Sequence, residues 1–587
     1  MRLNYEQLGL VGLLVVFIAL ATAYSVVTPL GEGPDEVSHF AYIQYVLMHQ
    51  RLPTAEGAVL GEAHQPPLYY VLCALAAIWI PQQEFTPIAN PDFAFEQPHT
   101  PNLLLHPQRE AFPYRDAPLA WHWLRLLSVA MGAITVWATW RIAAIFFPTD
   151  WWLVAGATAF VAFLPAFTFL SAMINNDNLV ITFSALGLLQ LFRIARQPWW
   201  LGDMIRLGVL LGLAVLTKLS GLVLWLFAAG VFAFLAWHAK RREWKHWTLR
   251  ITICFGIALA VIAPWLAYNV AQYGDPLGWS LVLSVTPLRQ APLTLDDLVR
   301  IIGWGLYTSF WGRFGGALHL RMSGAIYVVL GVVTLLALLG WARAARASRL
   351  FERDSNLRAL VAAFVVFWLL MLTAFARWTL AVLGTDQARQ LFPGLPLLAP
   401  IFVVALAGLV PTRRKITLTA FGGGLLALNI AVLLYLNATF AGASADLRVL
   451  PRLGGSVAPA DFGDAIRVLD YRVEPTRVAP GGSVTVELYW QALTSPDENY
   501  WLLLQLANRE NVQINKDGVP ANGRPTTDRW QKDQVFVSRH TLAVPGDAAL
   551  GAYILKLGLH PFERWEWLPV QGQEMLTLGS VVVATSP

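Results

Sequence analysis

The strongest constraint on this chain is a series of long apolar runs. The first, Leu8 to Leu30, is long enough to cross a bilayer as a helix. Others follow at Leu126 to Trp140, Trp152 to Leu170, Leu179 to Phe192, Leu207 to Leu216 and Leu219 to Trp237. The series continues at Ile251 to Val270, Met322 to Leu339, Leu360 to Phe375, Leu395 to Val410 and Ile416 to Leu436. About eleven spans are predicted, the shorter ones drawing on flanking residues to reach across. A 56% apolar composition and 25 tryptophans agree with a polytopic membrane protein. MRLNYEQ lacks the pattern of a cleaved signal, so the first run is expected to stay as a span. Two cysteines, Cys73 and Cys254, lie inside apolar runs, where a structural disulfide is not expected.

Basic residues orient the spans. Arg193 and Arg196, Lys240 to Arg242 with Lys245, Arg343 with Arg346 and Arg349, and Arg413 to Lys415 fall on every second connection. The positive-inside rule makes those connections cytoplasmic. The expected protein is therefore multi-pass in the cell membrane, N-terminus inside and C-terminus outside. A net charge of +5 spread through loops reads as topology information and does not suggest nucleic acid.

The other side of the membrane then carries Gly31 to Pro118, Asn175 to Asn178, the tight connection at Lys218, Gln272 to Arg321, and Arg377 to Phe392. Asp35 and Glu36 stand where the chain leaves the first span, and Pro34 suits the first turn of a helix. Phe40, Ile43 and Leu47 follow at helical spacing, as in a helix lying on the membrane surface. Leu68 to Ile80, entered through Pro66-Pro67, reads as a second juxtamembrane helix, because counting it as a span would invert every later loop. Pro81 to Pro118 reads as an irregular loop.

The texture changes after Asn437. VTVELYW, LLLQLAN and YILKLGL alternate with a period of two between turn signals such as PGG and PGD. Roughly seven or eight short strands would make an immunoglobulin-like β-sandwich. The expected division is a membrane core over 1–440 that includes the first outer loop at 31–118, a linker at 441–466, and a sandwich at 467–587. No catalytic triad or metal cluster stands out in the sandwich, which reads as a binding, spacing or shielding module.

With topology set, the polar residues gather on one side: Asp35, Glu36, His39, His64, Asn175, Asn176, Asp177, Lys218, Arg313, Arg321, Asp386 and Arg389. Ionisable groups at a membrane boundary are costly unless paired or used. Lys218 alone could snorkel, Asp177 could cap a helix, and Arg389 could anchor to lipid phosphate. Taken together they suit a site that handles a charged lipid head group.

The motifs in order are PDE in the first outer loop, HQPPLYY, WLRLLSVAMGAITVWATWRIA, FLPAFTFLSAMINNDNL, GLAVLTKLSGL, NVAQYGDPLG and ARQLFPGLP. Over roughly the first three-quarters of the chain they resemble the class C glycosyltransferases, the superfamily of protein O-mannosyltransferases and bacterial aminoarabinose transferases. The resemblance implies a polyprenyl-phosphate sugar donor and an acceptor hydroxyl on a protein, glycan or lipid outside the cytoplasm. It makes Asp35 the general base that takes the acceptor proton, with Glu36 beside it. The leaving phosphate needs cations, which Lys218, Arg389, Arg313 or Arg321 could supply, with His39 and His64 close by. Asn176, Gln65 and Asp386 are assigned to acceptor contact or support. Asp35 and Asp177 could hold a divalent metal ion, though two carboxylates do not establish a site.

Two positions depart from the aminoarabinose transferases. Ser38 and Gln65 stand where that group carries an Arg and a Lys, which argues against aminoarabinose transfer to lipid A. Two other readings compete. A transporter or flippase for lipid-linked saccharides predicts midplane charges and inverted repeats, and the sequence displays neither. A non-catalytic scaffold displaying the sandwich gives no reason for PDE, NND and ARQLFP to share a side.

Overall fold

A computed structural model of the chain describes residues 5–54, 61–81, 83–95, 100–196, 200–238, 244–346, 355–442, 459–508 and 513–585. The basic run Lys240 to Arg242, Arg349 and most of the expected linker lie outside the described residues. The chain divides into two compact units: residues 1–27, 33–84 and 119–434 form the first, and 28–32, 85–118 and 435–587 the second.

The first unit is helical. Its opening elements are α1 (Tyr5–Val27), α2 (Glu36–His49) and α3 (Leu68–Ala77), followed by α4 (Asp116–Phe146), α5 (Trp151–Ala162) and α6 (Pro165–Ser171). Next come α7 (Asp177–Arg196) and α8 (Leu201–Thr217). Among the described residues 9 helices are long and apolar enough to cross a membrane, or 10 when the bent pair α5–α6 counts as one span. The remaining expected span is α8, whose 17 residues include Asp203 and Arg206.

The helices differ in how much of their surface is enclosed. The apolar window is 78% buried for α7, 72% for Ala388–Leu409 and 61% for α4, but only 22% for Gly324–Arg343 and Ser355–Ala381. The first three line the interior and the last two present most of their surface to lipid. Gly208 and Gly212 lie one turn apart on α8; a Cβ at Gly208 would come within 2.4 Å of the Cys254 carbonyl oxygen. This small-residue spacing lets α8 lie against Trp244–Tyr273 almost backbone to backbone. Pro165 opens α6 and bends the α5–α6 pair by 60°. Buried Asn429 answers the break by donating to the Phe163 carbonyl (3.3 Å) and to Thr168 Oγ1 (2.8 Å).

The second unit is a two-sheet sandwich. Its short ribbon pairs β1 (Ile88–Ala89) with β2 (Leu104–Leu105). The first unit holds a similar ribbon, β3 (Arg313–Phe314) and β4 (Leu320–Arg321). The sandwich strands are β5 (Ala460–Phe462), β6 (Ile466–Glu474), β7 (Arg477–Val478), β8 (Ser483–Ala492) and β9 (Tyr500–Ala507). They continue as β10 (Gln513–Gly518), β11 (Val535–Ala543), β12 (Gly551–Pro561) and β13 (Leu576–Val583). The sheets run β10-β9-β12-β13-β7 and β11-β8-β6-β5. Inward positions of both sheets, including Trp490, Leu504, Tyr553 and Leu557, close the core.

The strands begin at Ala460, ahead of the expected start at 467. The larger difference concerns Phe85–Pro118, expected as an irregular loop of the membrane core. It folds with the sandwich instead. Asp92 accepts from Val519 N (3.0 Å) and lies 3.0 Å from His540 Nδ1, while His540 Nε2 meets Ser538 Oγ at 2.9 Å. Lys516 Nζ donates to the Pro91 carbonyl, and Thr526 Oγ1 to the His106 carbonyl. His106 stands between Glu110 (2.8 Å) and Glu32 (3.4 Å), so residues 28–32 join the same cluster. Sequence periodicity cannot reveal Lys516, Val519, Thr526 and His540 as partners, because they lie hundreds of residues from the segment they hold.

Candidate active site

The site begins where α2 starts. Asp35 occupies the N-cap of α2 with φ 57°, a left-handed conformation that aspartate tolerates better than most residues. Its side chain makes no cap hydrogen bond, so the carboxylate is left for another partner. That partner is Arg389, whose Nη2 donates to Asp35 Oδ2. Arg389 Nη1 donates to Asp177 Oδ2 at 3.0 Å and its Nε to Gln387 Oε1 at 2.6 Å. Lys218 Nζ completes the row by donating to Asp177 Oδ1 at 2.5 Å.

Each member is delivered by a different element. Asp177 opens α7, the most enclosed span, where an acid suits the positive helix end. Its backbone N–H is bound by Asn175 Oδ1 (2.9 Å), while Asn175 Nδ2 donates to the Pro34 carbonyl (2.9 Å). Lys218 is the extended residue that ends α8. Arg389 lies in the 3-10 turn Ala388–Gly394 that leads into Leu395–Leu409. The acids and cations therefore alternate along one chain of charge-assisted bonds.

Exposure separates the two aspartates. The Asp35 side chain is 44% exposed and that of Asp177 4%. Desolvation opposes ionisation of Asp35, but Arg389, with Lys218 nearby, outweighs it and holds the carboxyl below its usual range. Glu36 is built differently. Its oxygens accept from Arg125 Nε (2.8 Å) and Nη2 (2.6 Å), from Ile174 N (3.0 Å) and from Gly33 N (3.2 Å). Both partners of that pair are fully buried. Glu36, expected beside Asp35 in the reacting pair, has a saturated and enclosed carboxylate that joins α2 to α4 and to the turn before α7.

Two clefts lie in this unit. One, beside Arg389, is lined by Pro34, Phe169, Ser309, Arg313 and Gln387 among others. Arg313 Nε is buried there without a hydrogen-bond partner among the described residues. Burial, with Arg321 beside it, lowers the Arg313 pKa, and Asp386 opposes that shift. Arg321 itself is exposed on the facing strand, β4. The other cleft is lined by Tyr42, His64, Gln65, Trp265, Tyr268 and Tyr273 among others. Burial and then Lys218 hold His64 down to about 4, so it is neutral. Asn176 Nδ2 reaches Gln65 Oε1 (3.3 Å) and Tyr70 Oη (3.4 Å).

A metal ion does not fit between Asp35 and Asp177. Both oxygens of Asp177 are engaged by cations, which would repel a divalent ion. The donor set that converges is Asp35, His39 and Glu62, whose ligand atoms lie within 4.8 Å of one another. Burial keeps the pKa of His39 low, leaving the neutral imidazole that a metal requires. Burial also raises the carboxyl of Glu62, with Asp35 adding to the shift against the pull of Lys218 and a hydrogen bond from Gln65. Glu62 and Arg125 were not among the residues singled out from sequence. Glu62 sits two residues before His64 in GEAHQPP, and that proximity was its only signal.

Residues 122–268, a minority of the chain, match the dolichyl-phosphate-mannose-protein mannosyltransferase family. No curated protein sequence matches this chain. The Saccharomyces cerevisiae protein O-mannosyltransferase Pmt1-Pmt2 complex bound to the sugar donor aligns with a TM-score of 0.34 at 16% identity, covering 47% of this chain and 35% of that one. ArnT from Cupriavidus metallidurans in the apo state gives 0.42 at 14% identity, over 74% of this chain and 66% of that one. The Archaeoglobus fulgidus oligosaccharyltransferase in the apo form gives 0.40 at 12% identity, over 73% and 56%. The chain thus spans little more than a third of the yeast chain and under two thirds of the archaeal one. In the stretch that carries Arg125, Asp177 and Lys218, this membrane protein resembles the class C glycosyltransferases of the mannosyltransferase type.

Proposed function

We propose that this protein transfers a sugar from a polyprenyl-phosphate donor to an acceptor hydroxyl, with the reaction centred on Asp35. The observation that carries this reading is the Asp35–Arg389–Asp177–Lys218 row, in which a half-exposed carboxylate is held by a guanidinium lining a cleft. The acceptor oxygen attacks the anomeric carbon as its proton passes to Asp35. The bond from that carbon to the phosphate oxygen breaks, and the added negative charge falls to Arg389 and Arg313. Arg389 is shared: a phosphate arriving in the cleft competes with Asp35 for the guanidinium. Loosening that pair raises the basicity of Asp35 at the moment a base is needed. Lys218 and Asp177 keep Arg389 in place meanwhile. The orientation read from the basic loops puts this end of the helices outside the cytoplasm, with the acceptor.

Asp35, His39 and Glu62 are the residues that would hold a divalent ion. Such an ion would supply positive charge beside the reacting phosphate.

The test supplies purified protein with polyprenyl-phosphate mannose, glucose and aminoarabinose in turn, together with peptide, glycan and lipid acceptors. Mass spectrometry should find free polyprenyl phosphate and a glycosylated acceptor in equal amounts for at least one pairing. Movement of intact donor across proteoliposomes, with no cleavage under any pairing, would replace the transferase with a flippase.

A further inference from the structure

The outer face of the five-stranded sheet carries an aromatic patch at the junction of β9 and β12. Trp501 and His560 are cross-strand partners there, on the same face. Beyond β12 the chain folds back over that face, closed by a 2.8 Å bond from Leu568 N to the Leu559 carbonyl. The fold-back lays Trp565 on the His560 ring at 4.3 Å and 26°, and sets Trp567 edge-on to the same ring at 5.3 Å. Trp567 covers Gly558, where a Cβ would come within 2.7 Å of the indole; only glycine leaves room. Next to them, Trp501 and Phe562 stack at 4.2 Å.

Trp565 remains 81% exposed despite this support. One indole face rests on a buried imidazole and the other is open, so the ring is oriented before any ligand arrives. Its rim is polar. Arg564 Nη2 donates to both oxygens of Glu498 (3.1 and 2.9 Å), and Glu566 approaches Arg564 Nε at 3.9 Å. One guanidinium against two carboxylates leaves the rim with donors, acceptors and a net negative charge, which disfavours an anionic surface and suits an uncharged ligand rich in hydroxyls.

We infer that this patch is a saccharide-binding platform: the apolar C–H face of a sugar ring stacks on Trp565, and its hydroxyls bond to Arg564, Glu498 and Glu566. An amphipathic ring ligand is what an open indole with a hydrogen-bonding rim can hold. The inference rests on the sandwich alone and holds whether or not Asp35 is a catalytic base.

The experiment titrates the full-length protein in nanodiscs with manno-, gluco- and galacto-oligosaccharides, reading tryptophan fluorescence and calorimetric heat. At least one series should bind, and Trp565→Ala should weaken it about five- to tenfold, the loss of one stacking contact. Trp565→Phe should restore part of the affinity. Binding unchanged in Trp565→Ala would move the saccharide away from this patch and overturn the inference. So would the absence of binding by any series. Quenching of Trp565 by brominated lipid that no saccharide relieves would assign the patch to the bilayer surface instead.

Discussion

Asp35 and Glu36 are neighbours in sequence and opposites in environment. Asp35 is 44% exposed and held by Arg389, whereas Glu36 is fully enclosed against Arg125. Replacing each by its amide should therefore damage different properties. Asp35→Asn keeps the shape but cannot take a proton, so transfer should fall on the order of a hundredfold with an unchanged melting curve. Glu36→Gln leaves the Arg125 charge buried without its counter-ion, which should cost about 3–5 kcal/mol of stability. Paired activity and thermal-unfolding measurements separate the two. Near-normal transfer by Asp35→Asn would refute the base assignment.

On the proposed reading, Arg389 also sets the acid limit of the reaction. Because it holds the Asp35 carboxyl below its usual range, Asp35 stays ionised, and kcat/KM should hold steady through the ordinary carboxylate range and decline only below it. Arg389→Lys keeps the charge but cannot bridge two carboxylates, so the acid limb should move to higher pH. Donor affinity should weaken about tenfold in the same variant, read as a rise in KM for the polyprenyl-phosphate sugar. A pH profile identical to the parent would show that Arg389 does not control Asp35.

Metal binding, if it uses Asp35, His39 and Glu62, must drive the proton off Glu62. Burial has lifted that carboxyl, so affinity for a divalent ion should rise as pH increases, with proton release in calorimetry. Glu62→Gln should abolish the pH dependence and most of the affinity. Chelator treatment that changes neither the melting curve nor transfer would remove the metal from the scheme.

The sandwich unit should have its own pH response. Burial opposes protonation of His106, but Glu110 and Glu32 win and raise its pKa to about 9. A group raised in the folded state stabilises most below its unfolded pKa, near 6.5, and loses that contribution as pH rises through about 9. The melting temperature of this unit should drop by several degrees across that window. His106→Gln should flatten the dependence. A flat profile in the parent would mean that His106 is not held as the imidazolium.

Much of the helical unit is legible in sequence because a bilayer demands long apolar runs with no other way to satisfy the backbone. Trp152 to Leu170 reads in sequence as one unbroken run, and the angle of the α5–α6 bend at Pro165 is set by tertiary partners such as Asn429. Asp35, Asp177, Lys218 and Arg389 could be placed on one side from the basic loops, and the structure brings these four into one bonded row. The division between Asp35 and Glu36 was not legible. Successive residues at a helix start point in different directions, and which one meets Arg125 depends on how α2 lies against α4. Glu62 carried no periodic signal, and the fate of residues 85–118 depended on partners beyond residue 500.

That last dependence bears on biosynthesis. The sandwich unit is assembled from three separate pieces of chain, two of which leave the ribosome before almost all of the helices and one after them. Asp92 must wait for His540, and Glu32 and His106 for the strands that enclose their segments. A nascent chain thus carries unfinished polar segments outside the helices throughout the insertion of its later spans, open to chaperones and proteases until the final hundred or so residues emerge. Removing the C-terminal strands would leave residues 28–32 and 85–118 permanently in that unfinished condition, so the module cannot be trimmed as though it were a tail.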